Sequence, residues 1–171
     1  MIETKRLLLN KYSASDFGAL HKILSDPVTM SFWPVPFSEV QSQAWFERVM
    51  KSYDAYGFGR MTITLKETGE LIGDCGIVFD NIVDGKIEND LGYIIHHPHW
   101  KNGYASEAAN AVKEFAFDSL KLDRVCANMA FDNTASVKTA EKIGMIKEKE
   151  FFNTRNRNIK TYLFSTKRNS K

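Results

Sequence analysis

The chain has 171 residues, of which 43% are hydrophobic and 26% charged, values typical of one globular domain and unlike those of a disordered chain or a fibre. Its formal net charge is +2 and its basic residues are scattered, so nucleic acid is not an expected ligand. No apolar run approaches the ~18 residues that span a bilayer, and the first residues lack a signal-peptide pattern. We therefore expect a cytoplasmic protein that does not bind membranes.

The N-terminal segment predicts one strand and one helix. Arg6–Leu9 contains a short apolar run of strand type. Ser13, followed three residues later by Asp16, is a capping-box variant that predicts the start of a helix. This helix is expected to end near Asp26-Pro27, because the residue before a proline disfavours helical dihedral angles.

A second capping box predicts the next helix. Ser38 and Gln41 have the required spacing. The apolar positions after them recur at helical spacing, so we expect the inward face to contain Val40, Ala44, Trp45, Val49 and Tyr53. The segment between the two helices, Phe32–Phe37, is an aromatic loop that two prolines stiffen.

The middle of the chain predicts a hairpin and a central strand. Met61–Leu65 alternates apolar residues with threonine, as a half-buried strand does, and Leu71–Phe79 is expected to return beside it. Asn81–Asn89 is polar and is predicted to be turn-like. Asp90–His96 follows as the start of the central strand.

The C-terminal half alternates helices and strands. The helix after Gly103 is expected to end at about residues 120–123, and the strand Arg124–Phe131 that follows is expected to run parallel to the central one. A short helix stopped by Gly144 and a closing hairpin, Met145–Phe152 with Ile159–Thr166, complete the chain. The order β-α-α-β-β-β-α-β-α-β-β predicts one mixed-sheet domain over residues 1–171.

The turn between the central strand and its helix is a candidate anion site. Pro98, Asn102 and Gly103 lie between the apolar strand and a helix of alanine-rich face. A helix start leaves its first N–H groups unpaired and carries partial positive charge, so a turn without a bulky side chain lets those donors approach a phosphate. By itself the pattern is equally that of an ordinary strand-to-helix loop.

Metal binding and thiol chemistry are not expected. His96, His97 and His99 cannot converge as a tetrahedral set without a fourth ligand, and no cysteine or acidic residue is spaced to supply one. Cys75 and Cys126 each lie in an apolar strand-like run, which predicts buried free thiols.

Several segments resemble the GNAT superfamily of acyl-CoA N-acyltransferases. Trp100–Ala105 resembles the R/Q-x-x-G-x-G/A turn of that superfamily, with Trp100 at the Arg or Gln position, a departure shared by the branch of ribosomal-protein N-terminal acetyltransferases. Asn133–Met145 resembles that branch's N-x-x-S...E-K-x-G-F/M segment. Glu67–Gly73 and Leu91–Tyr93 match it as well, so the resemblance covers nearly the full chain.

The resemblance implies a fold and a cosubstrate. The fold would be a GNAT-like α/β (α+β) mixed sheet, mostly antiparallel, with helices on both faces and one parallel strand pair splayed to hold the coenzyme A arm. Acetyl-CoA would be bound by the central strand, the turn and the last helix, through residues Tyr93, Ile94, Ile95, His96, Lys101, Asn102, Gly103, Tyr104, Ala105, Ser106 and Asn133. Asn133 is equally compatible with a simple helix cap.

The resemblance also implies catalytic residues. An amine nucleophile must lose a proton, and Asp90 aligns with an acidic residue that the branch often carries, while Glu88 is the second candidate. Both are equally compatible with solvated acids at the start of a strand. The tyrosine that much of the superfamily uses to protonate the thiolate is replaced by Ala140, and Ser136 is the substitute.

The implied activity is transfer of the acetyl group to a primary amine by direct attack in a ternary complex. Cys75 and Cys126 lack the setting of a covalent nucleophile. The acceptor would be a protein N-terminus, bordered by the loop Phe32–Phe37. The alternatives are a small amine such as a polyamine, an amino sugar or an amino acid, or a non-catalytic acyl-CoA sensor. The chain would be a monomer or a homodimer.

Overall fold

One sheet of eight strands organises the described chain, which is residues 1–168 of a computed structural model, with the side chain of Asp80 excepted. Residues 169–171, the end of the predicted domain, lie outside the described residues. The strands are β1 (Ile2–Glu3), β2 (Leu7–Asn10), β3 (Arg60–Leu65), β4 (Leu71–Val83), β5 (Lys86–Ile95), β6 (Arg124–Ala130), β7 (Ile146–Asn153) and β8 (Ile159–Lys167).

The strands lie in the order β1-β2-β3-β4-β5-β6-β8-β7, and neighbours are antiparallel except for β5 and β6. The chain leaves β5 through a helix and enters β6 in the same direction, which is how a crossover connection produces a parallel pair. The predicted mixed sheet, mostly antiparallel with one parallel pair, is therefore confirmed.

Helices cover both faces of this sheet. They are α1 (Phe17–Leu24), α2 (Glu39–Tyr56), α3 (Tyr104–Asp118) and α4 (Thr134–Lys142). Ile94 packs with Ile23 and Leu24 of α1, whereas its neighbour Ile95 lies in the main core with α3. Because consecutive strand residues point to opposite faces, the two helical layers lie on opposite sides. None of the helices within residues 1–168 is both long and apolar enough to cross a membrane.

Local capping sets the starts of the first two helices, as predicted. The Ser13 amide donates to Asp16 at 2.7 Å, and a short 3-10 turn, Ala14–Asp16, precedes α1. The Ser38 amide donates to Gln41 at 2.8 Å, and the Gln41 amide donates back to the Ser38 hydroxyl at 3.3 Å. Each box satisfies amide groups that a helix start would otherwise leave unpaired.

Residues 81–89 are not the predicted turn-like connection. β4 continues to Val83 and β5 begins at Lys86, so the two strands form one long hairpin. Asp84 and Gly85 have φ values of 48° and 74°, as the two central residues of a type I′ turn require. The signal was the Asp-Gly dipeptide, which the polar character of its neighbours obscured.

Smaller differences concern the ends and faces of elements. The short strand β1 was not predicted, and α3 ends at Asp118, earlier than expected. Val40 is 79% exposed and Ala44 is also exposed, because α2 lies on the surface and buries only Ser42 and Val49 along its length.

The two cysteines are free and buried, as predicted. Burial raises the pKa of the Cys75 thiol to about 12, and burial likewise raises the pKa of Cys126. Neither thiol is therefore a ready nucleophile at neutral pH.

A core position and a surface position of the same residue type test this packing. Ile63→Ala removes a fully buried side chain of β3 and should lower the free energy of unfolding by about 2–5 kcal/mol. Ile87→Ala, at a position 71% exposed, should change it by no more than about 0.5 kcal/mol. Urea denaturation of both variants measures the difference, and equal midpoints would contradict the assigned core.

Candidate functional site

A gap opens between β5 and β6 just beyond one point of contact. Asp90 and Cys126 are the one registered pair between these strands in the described chain. Past it the strands separate around a cavity of about 610 Å³, with residues 90–94 on one wall and residues 127–130 on the other. The splay leaves one edge of β5 without a strand partner, so its backbone groups can pair with a bound molecule.

Backbone parity decides which groups of β5 face this gap. The His96 amide donates to the Ile72 carbonyl of β4 at 2.8 Å, and Ile94 is registered with Asp74 of the same strand. In an antiparallel ladder alternate residues pair with one neighbour, so Tyr93 and Ile95 direct their amides to the gap. The amides of Ile94 and His96 are directed to β4, so Tyr93 and Ile95 are the two of the four predicted β5 residues whose amides face the gap.

The indole of Trp100 occupies one of these open groups. Its Nε1 donates to the Ile95 carbonyl at 2.6 Å. Trp100 thereby fastens the turn after β5 back onto the strand, at the position where the superfamily more often has Arg or Gln. Among the groups facing the gap, the Tyr93 amide and carbonyl and the Ile95 amide remain available.

The turn that leads into α3 presents unpaired amides. Within residues 1–168, the amides of residues 101–106 donate no hydrogen bond to other protein groups. Lys101 and Gly103 have φ values of 64° and 79°, and at Gly103 only glycine adopts this conformation without cost. The start of a helix of 15 residues that lacks a side-chain cap has the unpaired donors and the partial positive charge that favour an anion.

Thr4 and Arg6 of the N-terminal segment hold this turn through contacts that are here called the brace. Glu107 accepts from the Thr4 hydroxyl at 2.7 Å, from the Arg6 amide at 2.8 Å and from Arg6 Nε at 2.7 Å. Arg6 Nη1 also donates to the Asn102 carbonyl at 2.9 Å, and its guanidinium lies 4.5 Å from the centre of the Tyr104 ring.

The brace also neutralises the acid nearest to the uncapped helix start. Partial burial raises the pKa of Glu107, but the hydrogen bonds from Thr4 and Arg6 outweigh it, so the pKa lies below its usual value. A carboxylate beside the turn would repel a phosphate, and the Arg6 charge cancels that repulsion. Sequence reasoning missed the pair because the two residues lie far apart in the chain.

Asp90 lies where the two strands part. It is buried and lines the cavity. Oδ2 accepts from the side-chain amides of Asn81 and Asn128, each at 2.9 Å, and the Cys126 thiol is 3.8 Å from Oδ1. Burial raises the pKa of Asp90, and the two amide hydrogen bonds offset only part of that rise. A buried carboxyl with a raised pKa can accept a proton near neutral pH.

Glu88, the second acid candidate, is committed elsewhere. It forms a two-point ion pair with Arg124, with oxygen-to-nitrogen distances of 3.1 and 3.2 Å. It is not among the described residues that line the cavity. The structure therefore separates two acids that the sequence left as alternatives.

The start of α4 is fastened to β5 on the far side of the gap. The Asn133 side chain caps this helix by accepting from the Ser136 amide at 3.1 Å. The Tyr93 hydroxyl donates to the Ser136 carbonyl at 2.9 Å. The Ser136 hydroxyl itself lines the cavity and has no hydrogen-bond partner within the described part of the chain.

A buried arginine, which sequence reasoning missed, lines the other side of the cavity. Arg60 is 5% exposed and pairs with Asp74 through Nε and Nη2, each at 2.6 Å. The Tyr12 hydroxyl also donates to Asp74. Burial lowers the pKa of Arg60, but the Asp74 charge reverses that effect, so the guanidinium is permanently charged. Only its place in a hydrophobic strand pattern, at the start of β3, could have singled it out.

The histidines of the turn do have an acidic neighbour, contrary to the prediction. Asp26, from the end of the α1 segment, lies 2.8 Å from His97 Nδ1 and accepts from the Thr29 amide at 2.6 Å. His96 has a ligand atom within 4.8 Å of both. Burial opposes the ionisation of Asp26, but these hydrogen bonds prevail and lower its pKa to about 2. They join the segment after α1 to the turn after β5.

Comparison with known proteins supplies the context for this geometry. Residues 6–146 match the acetyltransferase (GNAT) domain family. The uncharacterized N-acetyltransferase p20 of Bacillus licheniformis is 31% identical over 167 residues, which cover 95% of this chain and 93% of the relative. A GNAT-family acetyltransferase from Bacillus anthracis has a crystal structure similar to this one, with a TM-score of 0.80, 29% identity and 97% coverage of each chain.

The fold is also shared with more distant proteins. A ribosomal-protein-S5-alanine acetyltransferase from Vibrio fischeri has a TM-score of 0.78 at 17% identity, over 98% of this chain and 96% of the other. The matched family segment contains the four helices α1–α4 and the two strands that part, β5 and β6, whereas β7 and β8, which also contribute to the cavity lining, lie almost entirely beyond it.

Proposed function

Because this chain belongs to the GNAT family of acetyltransferases, and so is an acyl-CoA-dependent N-acetyltransferase with acetyl-CoA as its cosubstrate, we propose that it acetylates a primary amine by direct attack in the gap between β5 and β6. The observation that carries the proposal is that two features lie side by side. The uncapped start of α3 offers unpaired amides, and the adjacent edge of β5 has no strand partner.

The unpaired amides of residues 101–106 would hold the diphosphate of the cosubstrate. Beside them lies a second cavity of about 570 Å³, bordered by Gly103, Ser106 and Lys142, which has room for the nucleotide portion. The pantetheine arm would run along β5 and pair with the Tyr93 backbone, within reach of the Asn133 side chain. This path brings the thioester to the point where β5 leaves β6.

Asp90 would act as the general base and Ser136 as the proton donor. The amine nitrogen attacks the thioester carbonyl carbon and gives its proton to Asp90. The Tyr93 amide stabilises the oxyanion, and the Tyr93 carbonyl remains for the pantetheine arm. When the carbon–sulfur bond breaks, the thiolate takes a proton from the Ser136 hydroxyl, which regains one from solvent. The ion pair of Glu88 with Arg124 favours Asp90 over Glu88 as the base.

Two classes of acceptor suit the cavity. The resemblance to ribosomal-protein acetyltransferases supports a peptide N-terminus. A small amine is supported by a contact across the cavity mouth, where the Asn156 side chain donates to the Phe32 carbonyl at 3.0 Å and narrows the entrance. A pure sensor of acyl-CoA is less well supported, because Asp90 and Ser136 both face the cavity.

Two glycines with the same backbone conformation test the diphosphate site. Gly103→Ala places a side chain at φ 79° in the turn, and Gly69→Ala does so at φ 73° in the β3–β4 turn. Both should cost about 1 kcal/mol of stability, but only Gly103→Ala should reduce the rise in melting temperature that acetyl-CoA produces by binding the folded state. Thermal shift measures this, and wild-type behaviour of Gly103→Ala would contradict the site.

Turnover tests the activity itself. With acetyl-CoA and a panel of amines, including peptides, amino acids and spermidine, the protein should release free thiol at a rate proportional to its concentration. Binding of acetyl-CoA without thiol release for any amine class would instead favour the sensor.

The pH dependence tests Asp90. Because its pKa is raised and its carboxylate form is required, kcat/KM should increase as the pH rises through a value above that of an ordinary aspartate. Asp90→Asn should remove this limb and lower kcat by about 10²-fold or more, whereas Glu88→Gln should keep it. Deprotonation of the acceptor amine also raises kcat/KM with pH, and this part of the profile is recognised because it moves with the pKa of the amine used. An unchanged profile in Asp90→Asn would exclude this base.

Ser136→Ala tests the proton donor. A thiolate leaves readily even without assistance, so kcat should fall by on the order of tenfold, less than the roughly 10²–10⁴-fold typical of general acid catalysis, with little change in acetyl-CoA affinity. Ser119→Ala, at an exposed position outside the cavity lining, is the matched control. Equal kcat values for the two variants would exclude the role.

A further inference from the structure

Arg60 presents unpaired donors to the cavity. Asp74 engages its Nε and Nη2, and Nη1 makes no hydrogen bond within residues 1–168. In that same part of the chain no buried side-chain nitrogen or oxygen lacks a partner, so Nη1 must be open to the cavity that Arg60 lines. An almost completely buried cation therefore keeps an unpaired nitrogen at the wall of the cavity, on the part of the wall that it shares with Arg48 and Trp45, the acceptor side of the site.

A second arginine lies beside the first. The guanidinium carbons of Arg48 and Arg60 are each 4.9 Å from the centre of the Trp45 ring. Burial lowers the pKa of Arg48, and the charge of Arg60 lowers it further. Arg48 forms no ion pair within the described residues and also lines the cavity. Two like charges therefore lie against one indole.

The acids of the cavity do not compensate this charge. Among the described residues that line it, the carboxylates are Asp84 and Asp90. Asp84 is paired with Lys149 at 2.5 Å, and Asp90 is held by two side-chain amides. Among the described lining residues, the arginines, Arg48, Arg60 and Arg155, therefore outnumber the carboxylates, and Asp90 is the carboxylate without an ion pair. This charge pattern opposes a polyamine and attracts an anion.

The position of Arg60 places such an anion close to Asp90, the proposed base. A β-carbon placed on Gly92 would lie 2.0 Å from Arg60 Nη1, so the guanidinium rests directly against β5. Gly92 is the residue before Tyr93 and two residues after Asp90. A group bound to Nη1 is therefore within a few atoms of an amine that contacts Asp90.

We propose that the acceptor is an amino acid, whose carboxylate binds Arg60 Nη1 and Arg48 while its amine lies beside Asp90. This inference rests on the proposed function and names the acceptor class of the same site. A charged planar guanidinium in a desolvated pocket is the side chain best suited to a carboxylate. A peptide N-terminus is a poorer match, because the α-carboxyl group of its first residue forms a neutral peptide bond.

The test compares acceptors that differ only in this charge. A panel of L-amino acids and the matching carboxamides is supplied with acetyl-CoA. The rate of thiol release is divided by the concentration of unprotonated amine, so that differences in amine pKa do not affect the comparison. The accepted amino acids should exceed their carboxamides in kcat/KM by at least about tenfold, the factor that a charge-assisted hydrogen bond provides. Spermidine and peptides should be poorer than the preferred amino acid.

Two variants locate the selectivity. Arg48→Gln, at an exposed position of α2, should raise KM for the amino acid and leave KM for its carboxamide and for acetyl-CoA unchanged. Arg60→Lys keeps a positive charge that can pair with Asp74 but removes the forked guanidinium. It should reduce further the ratio of kcat/KM for the amino acid to kcat/KM for its carboxamide. Circular dichroism and the acetyl-CoA thermal shift show whether each variant is folded.

The outcomes are distinct. Wild-type protein that acetylates carboxamides, peptides or spermidine as well as amino acids overturns this inference and leaves the proposed function intact. A ratio of acid to amide that is unchanged in folded Arg48→Gln and Arg60→Lys overturns the assignment of these two residues. Absence of thiol release with every amine overturns the proposed function instead.

Discussion

The constraint on which the site depends is the single pairing of β5 with β6 at Asp90 and Cys126. A sheet normally continues its ladder to the end of the shorter strand, since each unpaired backbone group must find another partner. Here the ladder stops at once, and the Tyr93 and Ile95 amides face a cavity. β4 on one side and β8 on the other hold the two strands apart. The gap is thus built into the sheet and does not require a moving part.

The elements around the gap are fixed by contacts that reach across the fold. Tyr93 joins β5 to α4, Trp100 joins the turn to β5, and the Arg6–Glu107 pair joins the N-terminal segment to α3. Each contact leaves free a group to which the proposed mechanism assigns a role: the Ser136 hydroxyl, the Tyr93 backbone and the amides of the turn. Binding groups held before the substrate arrives cost no reorganisation during the reaction.

The local features of this fold were predictable, because they depend on neighbouring residues. The capping boxes at Ser13 and Ser38, the strand alternation of Met61–Leu65 and the helix start after Gly103 each follow from a short pattern. The features that were missed depend on residues far apart in the sequence. Asp26 meets His97, and Arg60 meets Asp74 across two strands, through packing that no local pattern encodes. The direction in which each β5 amide points could not be predicted either, because it depends on the register of β5 with β4. A shift of one residue reverses it.

The charges of the acceptor side form an arrangement that stability alone does not explain. Burying Arg60 and Asp74 costs desolvation of both, and such a pair contributes little net stability compared with apolar residues of the same size. The pair nonetheless leaves Nη1 unpaired, and Arg48 increases the positive charge beside it. Asp90 lies two residues before Gly92, and the absence of a side chain at Gly92 makes room for that guanidinium. Cationic groups and the proposed proton acceptor therefore line one cavity, an arrangement that suits the carboxylate and the amine of an amino acid.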